Sequence, residues 1–326
     1  MSTKGIGKAT GKIILMGEHA VVYGEPAIAF PFSGTQVTAT VQSAKENSLT
    51  SIYHIGLLAD VPEELTNIQK LATCLQQKLH TENFHLVIES TIPSERGMGS
   101  SAAVAVAISR AFFDWQKIAL SQEKLLDYVN FSENIAHGNP SGIDAAATSG
   151  EQPIYFRKDH DFLSFPLNID AYLLVADTGI KGQTRSAVRS VAKLFEKAPD
   201  EISVEIKALG RLTEQAKEAI IYNQKSRLGE AMNQAQQHLK NLTVSNDAID
   251  RYIQLALEHH ALGAKLTGGG RGGCLLVLLE NKQQAEELAS ILEDQGIKNT
   301  WLQGLGRFAH SVETTTNKYE VTLEEA

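Results

Sequence analysis

The sequence P-S-E-R-G-M-G-S-S-A occupies residues 93–102 and joins a predicted strand to a predicted helix. Before it, residues 84–91 largely alternate apolar and polar side chains, as in a half-buried strand. After it, residues 102–113 are rich in alanine and predict a buried helix, with Ser100 or Ser101 as its N-cap. A glycine-rich turn at a helix N-terminus presents free N–H groups that suit a phosphate. An ordinary capped helix after a glycine turn explains this stretch equally well.

The composition is that of an ordinary globular protein, because 43% of its 326 residues are hydrophobic and 21% are charged. This length is sufficient for two domains. The net charge of -8 argues against nucleic-acid binding but permits an anionic substrate. Cys74 and Cys274 have no metal-ligand spacing, so we expect inert buried thiols. Without a signal peptide or an apolar run of ~20 residues, we expect a cytoplasmic protein with no membrane partner.

The first part of the chain combines strands with amphipathic helices. Strands are predicted at 11–16 and 35–42, and the absence of a helix between them favours an antiparallel sheet. Helices are predicted at 65–79 and 125–136 from the spacing of their apolar residues. Residues 137–144, H-G-N-P-S-G-I-D, predict a loop, because glycine, asparagine and proline interrupt regular structure.

The second part of the chain is richer in helix. An apolar strand at 171–176 and a polar loop at 177–185 precede a largely helical stretch, 184–262. This change places a domain boundary near residue 180 and predicts domains 1–180 and 181–326. The remaining predicted elements are a glycine loop at 268–273, a strand at 274–279, a helix around 285–292, and short strands near Trp301 and Phe308.

Two glycine patterns invite a dinucleotide-binding interpretation, and both fail on their context. Gly97, Gly99 and Ala102 fit G-x-G-x-x-A, but no parallel strand ending in an acid follows ~20 residues later. The run at 268–273 fits G-x-G-x-x-G, but it follows a helix and opens a strand. Neither matches a P-loop, so nicotinamide chemistry and P-loop chemistry are both disfavoured.

Several motifs in order resemble the GHMP kinase superfamily. Residues 93–102 match its P-x-x-x-G-L-G-S-S-A signature, with Met98 in place of leucine. The other matching stretches are G-K-I-I-L-M-G-E-H-A-V-V-Y-G from Gly11, H-G-N-P-S-G-I-D from His137, and K-L-T-G-G-G-R-G-G-C from Lys265. The chain departs from the family pattern at Thr10, usually proline, and at Arg271, which interrupts a run of glycines.

This resemblance implies an α+β fold in two domains. The N-terminal domain, 1–180, is expected to be ribosomal-protein-like and to bind ATP, and the C-terminal domain, 181–326, to be ferredoxin-like. The implied activity is ATP- and Mg²⁺-dependent transfer of a γ-phosphoryl group to a hydroxyl of a small molecule. The sequence leaves homodimer formation open.

The resemblance also implies the residues of the site. Asp144 aligns with the catalytic base and Lys12 with the lysine beside it, while Ser101 and Glu133 match the Mg²⁺ ligands. A loop carboxylate, a surface lysine and an exposed helix acid are the ordinary alternatives for Asp144, Lys12 and Glu133. The residues implied to bind the ATP phosphates are Pro93, Arg96, Gly97, Met98, Gly99, Ser100, Ser101 and Ala102.

Three further residues match family positions near the substrate. Glu18 and His19 follow the first strand, and His19 is either a ligand of a hydroxyl or carboxylate or a satisfied turn histidine. Thr184 is either a substrate contact or a helix N-cap. The competing functions are a related small-molecule kinase, a decarboxylase on the same fold, and a non-catalytic ligand sensor.

Overall fold

The computed structural model describes residues 4–138, 140, 142–150, 152–158, 160, 162–309 and 312–313. It divides into two compact units. The first unit contains the described residues of 1–12, 35–93 and 99–151, and the second contains those of 13–34, 94–98 and 152–326. These units alternate along the chain, whereas the sequence analysis divides it once near residue 180. That boundary stays a prediction.

The strands of the first unit form both antiparallel and parallel pairs. The Val37–Ser43 part of β2 (Ala27–Ser43) pairs antiparallel with β5 (Phe84–Ser90). On its other side β5 pairs in parallel with β3 (Ser48–Ser51), which forms an antiparallel hairpin with β4 (His54–Leu57). The antiparallel sheet predicted from residues 11–16 and 35–42 is thus found where β2 pairs with β5, whereas β3 and β5 are parallel. Sequence analysis missed the β3–β4 hairpin, because these strands have only four residues each.

The helices of the first unit bury their predicted apolar faces. Helix α1 exposes one side and buries Ile68, Leu71 and Leu75, while α2 is buried almost all round, as its alanine-rich sequence predicts. The two further helices, α3 and α4, follow. The bounds are α1 Thr66–Leu79, α2 Ser100–Trp115, α3 Gln122–His137 and α4 Ile143–Ser149.

Two predictions about helix ends in this unit are wrong. The N-cap of α2 is Gly99, with φ of 69°, and no side chain caps it, so Ser100 and Ser101 lie inside the first turn. The predicted loop at 137–144 is too long, because α3 continues to His137 and α4 begins at Ile143. Asp144 is therefore a helical residue. Asn139 and Ser141 of the same motif lie outside the described residues.

The second unit is built on a five-stranded sheet with the order β12-β11-β8-β10-β9. Strand β8 is buried along its whole length and pairs antiparallel with β10 and with β11. Its continuous apolar run is thus explained by its central place in the sheet. The bounds are β8 Tyr172–Asp177, β9 Gly263–Leu266, β10 Cys274–Leu279, β11 Asn299–Gly304 and β12 Val312–Glu313.

Shorter strands and helices complete the second unit. Ala27–Ala29 of β2 pairs with β6 (Ile154–Phe156), which pairs with β7 (Leu163–Ser164). The strand β1 (Gly5–Met16) contributes residues to both units. The helices are α5 Thr184–Lys197, α6 Pro199–Ile221, α7 Lys225–Asn241, α8 Asp247–Glu258 and α9 Lys282–Asp294.

The helix-rich stretch and the glycine loop before β10 agree with the sequence analysis, with two corrections. Gly306–Phe308 is a short 3₁₀ helix and not a strand. The N-cap of α5 is Gln183, so Thr184 is the first helical residue and its N-cap alternative is wrong. None of the helices within the described ranges combines the length and the apolar character that crossing a membrane requires.

Candidate active site

Lys12 and Asp144 form an ion pair in the first unit, with 2.8 Å between Lys12 Nζ and Asp144 Oδ1. The lysine side chain is 2% exposed and the aspartate side chain 36% exposed. Asp144 lies in the first turn of α4, where Thr148 donates a hydrogen bond to its backbone oxygen. One carboxylate is therefore fixed beside a buried ammonium and still reaches solvent, an arrangement suited to accepting a proton.

Gly99 brings the N-terminus of α2 against this ion pair. Its φ of +69° lies in the left-handed region, and a Cβ there would lie 2.7 Å from Lys12 Cγ and 3.3 Å from Thr148 Cγ2. Only glycine satisfies both conditions. The first N–H groups of a helix have no partner within that helix and carry partial positive charge. A helix end whose charge suits an anion thus begins next to the lysine of this ion pair.

Glu133 is the buried carboxyl group of the same unit. Its side chain extends from α3, is 3% exposed, and its Oε1 has no hydrogen-bond partner among the described residues. Burial raises the pKa of Glu133 to about 7; a hydrogen bond from Ser101 opposes the shift, the charge of Asp144 adds to it, and Lys12 opposes it. A buried carboxyl oxygen without a partner is costly unless a proton or a cation satisfies it.

Ser101 belongs to a small polar cluster with Glu133. Asn67 Nδ2 donates to Ser132 Oγ at 3.2 Å and lies 3.5 Å from Ser101 Oγ. Among the described residues no group of three or more His, Cys, Asp and Glu could hold a metal. A hydroxyl beside a partnerless carboxyl oxygen nevertheless fits Mg²⁺, which takes few protein ligands and completes its shell with water and substrate phosphates.

In the second unit, the segment Ser94–Met98 is fixed by its own contacts. Arg96 Nε lies 2.7 Å from Asp177 Oδ1, and its Nη2 donates to the carbonyl oxygen of Gly179 at 3.2 Å. Gly97 has φ of +77°, and a Cβ there would lie 3.4 Å from the Cα of Gly268. Gly97 therefore packs directly on the glycine loop at 268–273.

His19 is a buried, neutral imidazole. It adopts a φ of 59° and its Nε2 lies 3.0 Å from the carbonyl oxygen of Gly269. Burial lowers the pKa of His19 to about 4, against the opposing effect of that hydrogen bond. Because a carbonyl oxygen only accepts, Nε2 must carry the proton, and Nδ1 of the neutral ring is left as an acceptor. His19 can therefore receive a hydrogen bond from a hydroxyl but cannot donate one to a carboxylate.

Thr184 and Glu18 lie in the same unit as His19. A Cβ on Gly269 would overlap with Thr184, so this threonine packs on the glycine whose carbonyl His19 contacts. Glu18 forms a fully buried ion pair with Lys265, which also donates to the Leu266 carbonyl at 2.6 Å. Burial lowers the pKa of Lys265, and the charge of Glu18 opposes that shift.

The structure thus gathers the predicted residues within their own units. The first unit brings together five of them, namely Lys12, Gly99, Ser101, Glu133 and Asp144. In the second, His19 and Thr184 meet at Gly269, and Glu18 pairs with Lys265. Their chemical roles stay predictions.

Sequence analysis missed three polar residues of these clusters. Lys265 is a buried lysine in the apolar strand β9, and its presence within a quoted motif was a usable signal. Asp177 ends the apolar strand β8, but nothing in the sequence pairs it with Arg96, 81 positions away. Asn67 occupies the first turn of α1 and is buried, although its sequence neighbours give no sign of this.

Comparison with known proteins identifies relatives along most of the chain. The GHMP kinases N terminal domain matches residues 66–151 and the GHMP kinases C terminal domain matches residues 214–298. The chain is 31% identical to the mevalonate kinase of Pyrococcus furiosus, over 90% of this chain and 94% of that protein.

Solved structures agree. The mevalonate kinase of methicillin-resistant Staphylococcus aureus is 35% identical, with a TM-score of 0.73 over 93% of this chain and 99% of the other. The mevalonate kinase of L. major in complex with R-mevalonate is 26% identical, with a TM-score of 0.77 over 92% and 95% of the two chains.

The two matching domains and the relative of 31% identity over 90% of the chain make this protein an ATP-dependent small-molecule kinase, and the chain belongs to the GHMP kinase family. The resemblance, the fold class and the ATP-dependent kinase activity that it implies are thereby confirmed. Within the family, its motifs are similar to those of mevalonate kinases, and the relatives just described carry that name.

Proposed function

We propose that this chain transfers the γ-phosphoryl group of ATP to the primary C5 hydroxyl of mevalonate. The product would be 5-phosphomevalonate, in the mevalonate pathway of isoprenoid biosynthesis. The observation that carries the proposal is the Lys12–Asp144 pair in contact with Gly99 at the start of α2. A base, a cation and a phosphate-binding helix end are the parts that phosphoryl transfer needs.

In this proposal Asp144 accepts the proton of the attacking hydroxyl. The carboxylate is accessible, and its position is fixed by the ion pair with Lys12. The buried ammonium offsets the negative charge that gathers on the reacting oxygens, where the low dielectric of its surroundings strengthens that effect.

The ATP phosphates are proposed to bind along residues 97–102, through backbone N–H groups at the start of α2. Ser101 and Glu133 would hold Mg²⁺, because they supply a hydroxyl oxygen and a buried carboxyl oxygen without a partner. When bound, that ion neutralises charge on the phosphates of ATP. Glu133 must lose its proton to serve as a ligand, so metal use should weaken below its pKa of about 7.

Glu18, His19 and Thr184 are proposed to contact mevalonate. Nδ1 of the neutral His19 would accept a hydrogen bond from a substrate hydroxyl, and Thr184 is an exposed residue in the first turn of α5. We place the reaction in the cytoplasm, as the sequence analysis expects. A measurement of the molecular mass in solution decides between a monomer and a homodimer.

The test is a coupled ADP-release assay with mevalonate, phosphomevalonate, galactose and homoserine offered separately. Turnover with mevalonate alone supports the proposal. Turnover with another acceptor instead would retain the kinase and reject the substrate. Binding of ATP without turnover on any acceptor would support a ligand sensor. In Ser101→Ala and Glu133→Ala, an unchanged Mg²⁺ dependence would reject the metal ligands.

A further inference from the structure

We propose that Asp177 and Arg96 together position the glycine loop at residues 97–102 for ATP, and that Arg96 acts through Asp177 and not as a phosphate ligand. This inference rests on the proposed function, because it assumes that residues 97–102 bind the phosphates. Nothing in the sequence motifs assigns a role to Asp177, which lies 81 positions after Arg96.

The backbone around Arg96 is held at successive residues. The carbonyl oxygen of Glu95 accepts from the N–H of Gly182 at 2.8 Å, and the Glu95 carboxylate pairs with Lys181 at 2.7 Å. Glu95 itself has φ of 56°, in the left-handed region that L-residues adopt rarely. A conformation of this kind persists only where its surroundings enforce it. The arginine that follows pairs with the fully buried carboxylate of Asp177.

Asp177 is built into the framework of the second unit. It ends β8, is fully buried, and faces Cys274 of β10 and Asn299 of β11 in the sheet register. Its Oδ1 accepts from Arg96 Nε at 2.7 Å and from the Gly179 N–H at 2.9 Å. Its negative charge helps to raise the pKa of the Cys274 thiol, whose burial is the larger cause. The carboxylate is therefore buried at the end of β8 and is not accessible to a ligand.

The contacts of Arg96 leave little of it for a phosphate. The side chain is 11% exposed. Besides Nε, its Nη2 donates to the Gly179 carbonyl at 3.2 Å and its Nη1 lies 3.4 Å from the Ser94 carbonyl. Each guanidinium nitrogen thus has an acceptor within the protein, which accounts for three of its five N–H groups and fixes the plane of the group. The next residues along the chain are Gly97 and Met98, whose N–H groups open the phosphate-binding stretch.

The experiment is a double-mutant cycle on Mg-ATP binding, measured by titration calorimetry with the full chain. The variants are Arg96→Met, Asp177→Asn and the double variant, with Arg96→Lys as the conservative change. We expect each single change to weaken Mg-ATP about 10-fold, because a loop displaced by a fraction of an ångström loses aligned donors. The double variant should be no worse than either single one, because both remove the same interaction. Arg96→Lys should recover part of the loss.

Val175→Ala, in the buried part of β8, is the matched control for general destabilisation. It should lower the melting temperature without changing Mg-ATP affinity. If Arg96→Met does not fold, Arg96→Lys with Asp177→Asn gives the same cycle.

The outcomes separate this inference from the proposed function. Normal ATP affinity in Asp177→Asn, or additive losses in the double variant, would overturn the positioning role. The same loss in Val175→Ala would overturn it too. Wild-type protein that binds Mg-ATP but does not phosphorylate mevalonate would reject only the proposed function. Wild-type protein that does not bind Mg-ATP would reject both.

Discussion

Replacing Glu133 with glutamine should make the metal-free protein more stable, by an amount that grows with pH. In the folded protein the proton stays on Glu133 up to a pKa of about 7, whereas the ordinary glutamate pKa of 4.5 describes the unfolded chain. Between these values the folded state binds more protons than the unfolded state, so the free energy of unfolding falls as the pH rises. Glutamine has nearly the shape of the neutral carboxyl and carries no such dependence.

The magnitude follows from the two pKa values. The stability gap between Glu133→Gln and the wild type should widen by about 2.5 kcal/mol between pH 5 and pH 8, at 1.36 kcal/mol per pKa unit. The assay is urea unfolding of both proteins at several pH values in EDTA, without nucleotide. Asp127→Asn, which removes an exposed acid from the same helix, is unfolded in parallel as the control.

A constant gap from pH 5 to pH 8 would refute the reasoning, because it would mean that Glu133 titrates alike in both states. A gap that narrows with rising pH would mean that a partner holds the carboxylate charged, which contradicts its partnerless Oε1.

The remaining predictions concern the Lys12–Asp144 pair and the glycine beside it. Asp144→Asn should lower kcat by about 10²–10⁴-fold, because it removes the proton acceptor, and should also lower the melting temperature, because the buried ammonium of Lys12 loses its carboxylate partner; near-normal kcat would exclude it as the base. Gly99→Ala should lower both kcat and melting temperature, because its Cβ would collide with Lys12. Gly24→Ala is the control, because Gly24 has a similar φ of +86° and the space around its Cβ position is open. This change should therefore cost only about 1–2 kcal/mol of backbone strain and leave kcat unchanged. Equal kcat in the two glycine variants would contradict the account.

Sequence patterns predict most of the regular structure of this chain, because long elements carry their own periodicity. The apolar spacing of α1 and the continuous apolar run of β8 each specify an element with little ambiguity. The errors lie at helix ends and in short pieces. The N-cap of α2 is Gly99 and not one of the two serines that follow it, because the close approach to Lys12 leaves no room for a Cβ at this position.

The chemistry of the site was predictable where it lies in motifs and hidden where it depends on packing. Lys12, Ser101, Glu133 and Asp144 were all named from the sequence, and the structure gathers them in one unit. Their environments could not be predicted: the high pKa of Glu133 and the low pKa of His19 come from burial by residues distant in the chain. The Arg96–Asp177 and Glu18–Lys265 pairs likewise join residues 81 and 247 positions apart.

The most direct test of the central claim is to identify the product formed from mevalonate and ATP by phosphorus NMR. The account predicts stoichiometric 5-phosphomevalonate and ADP with the wild-type protein, and no detectable product over the same time with Asp144→Asn. A phosphate on another atom, another accepted substrate, or equal product from Asp144→Asn would contradict the claim that this lysine–aspartate pair activates the C5 hydroxyl of mevalonate.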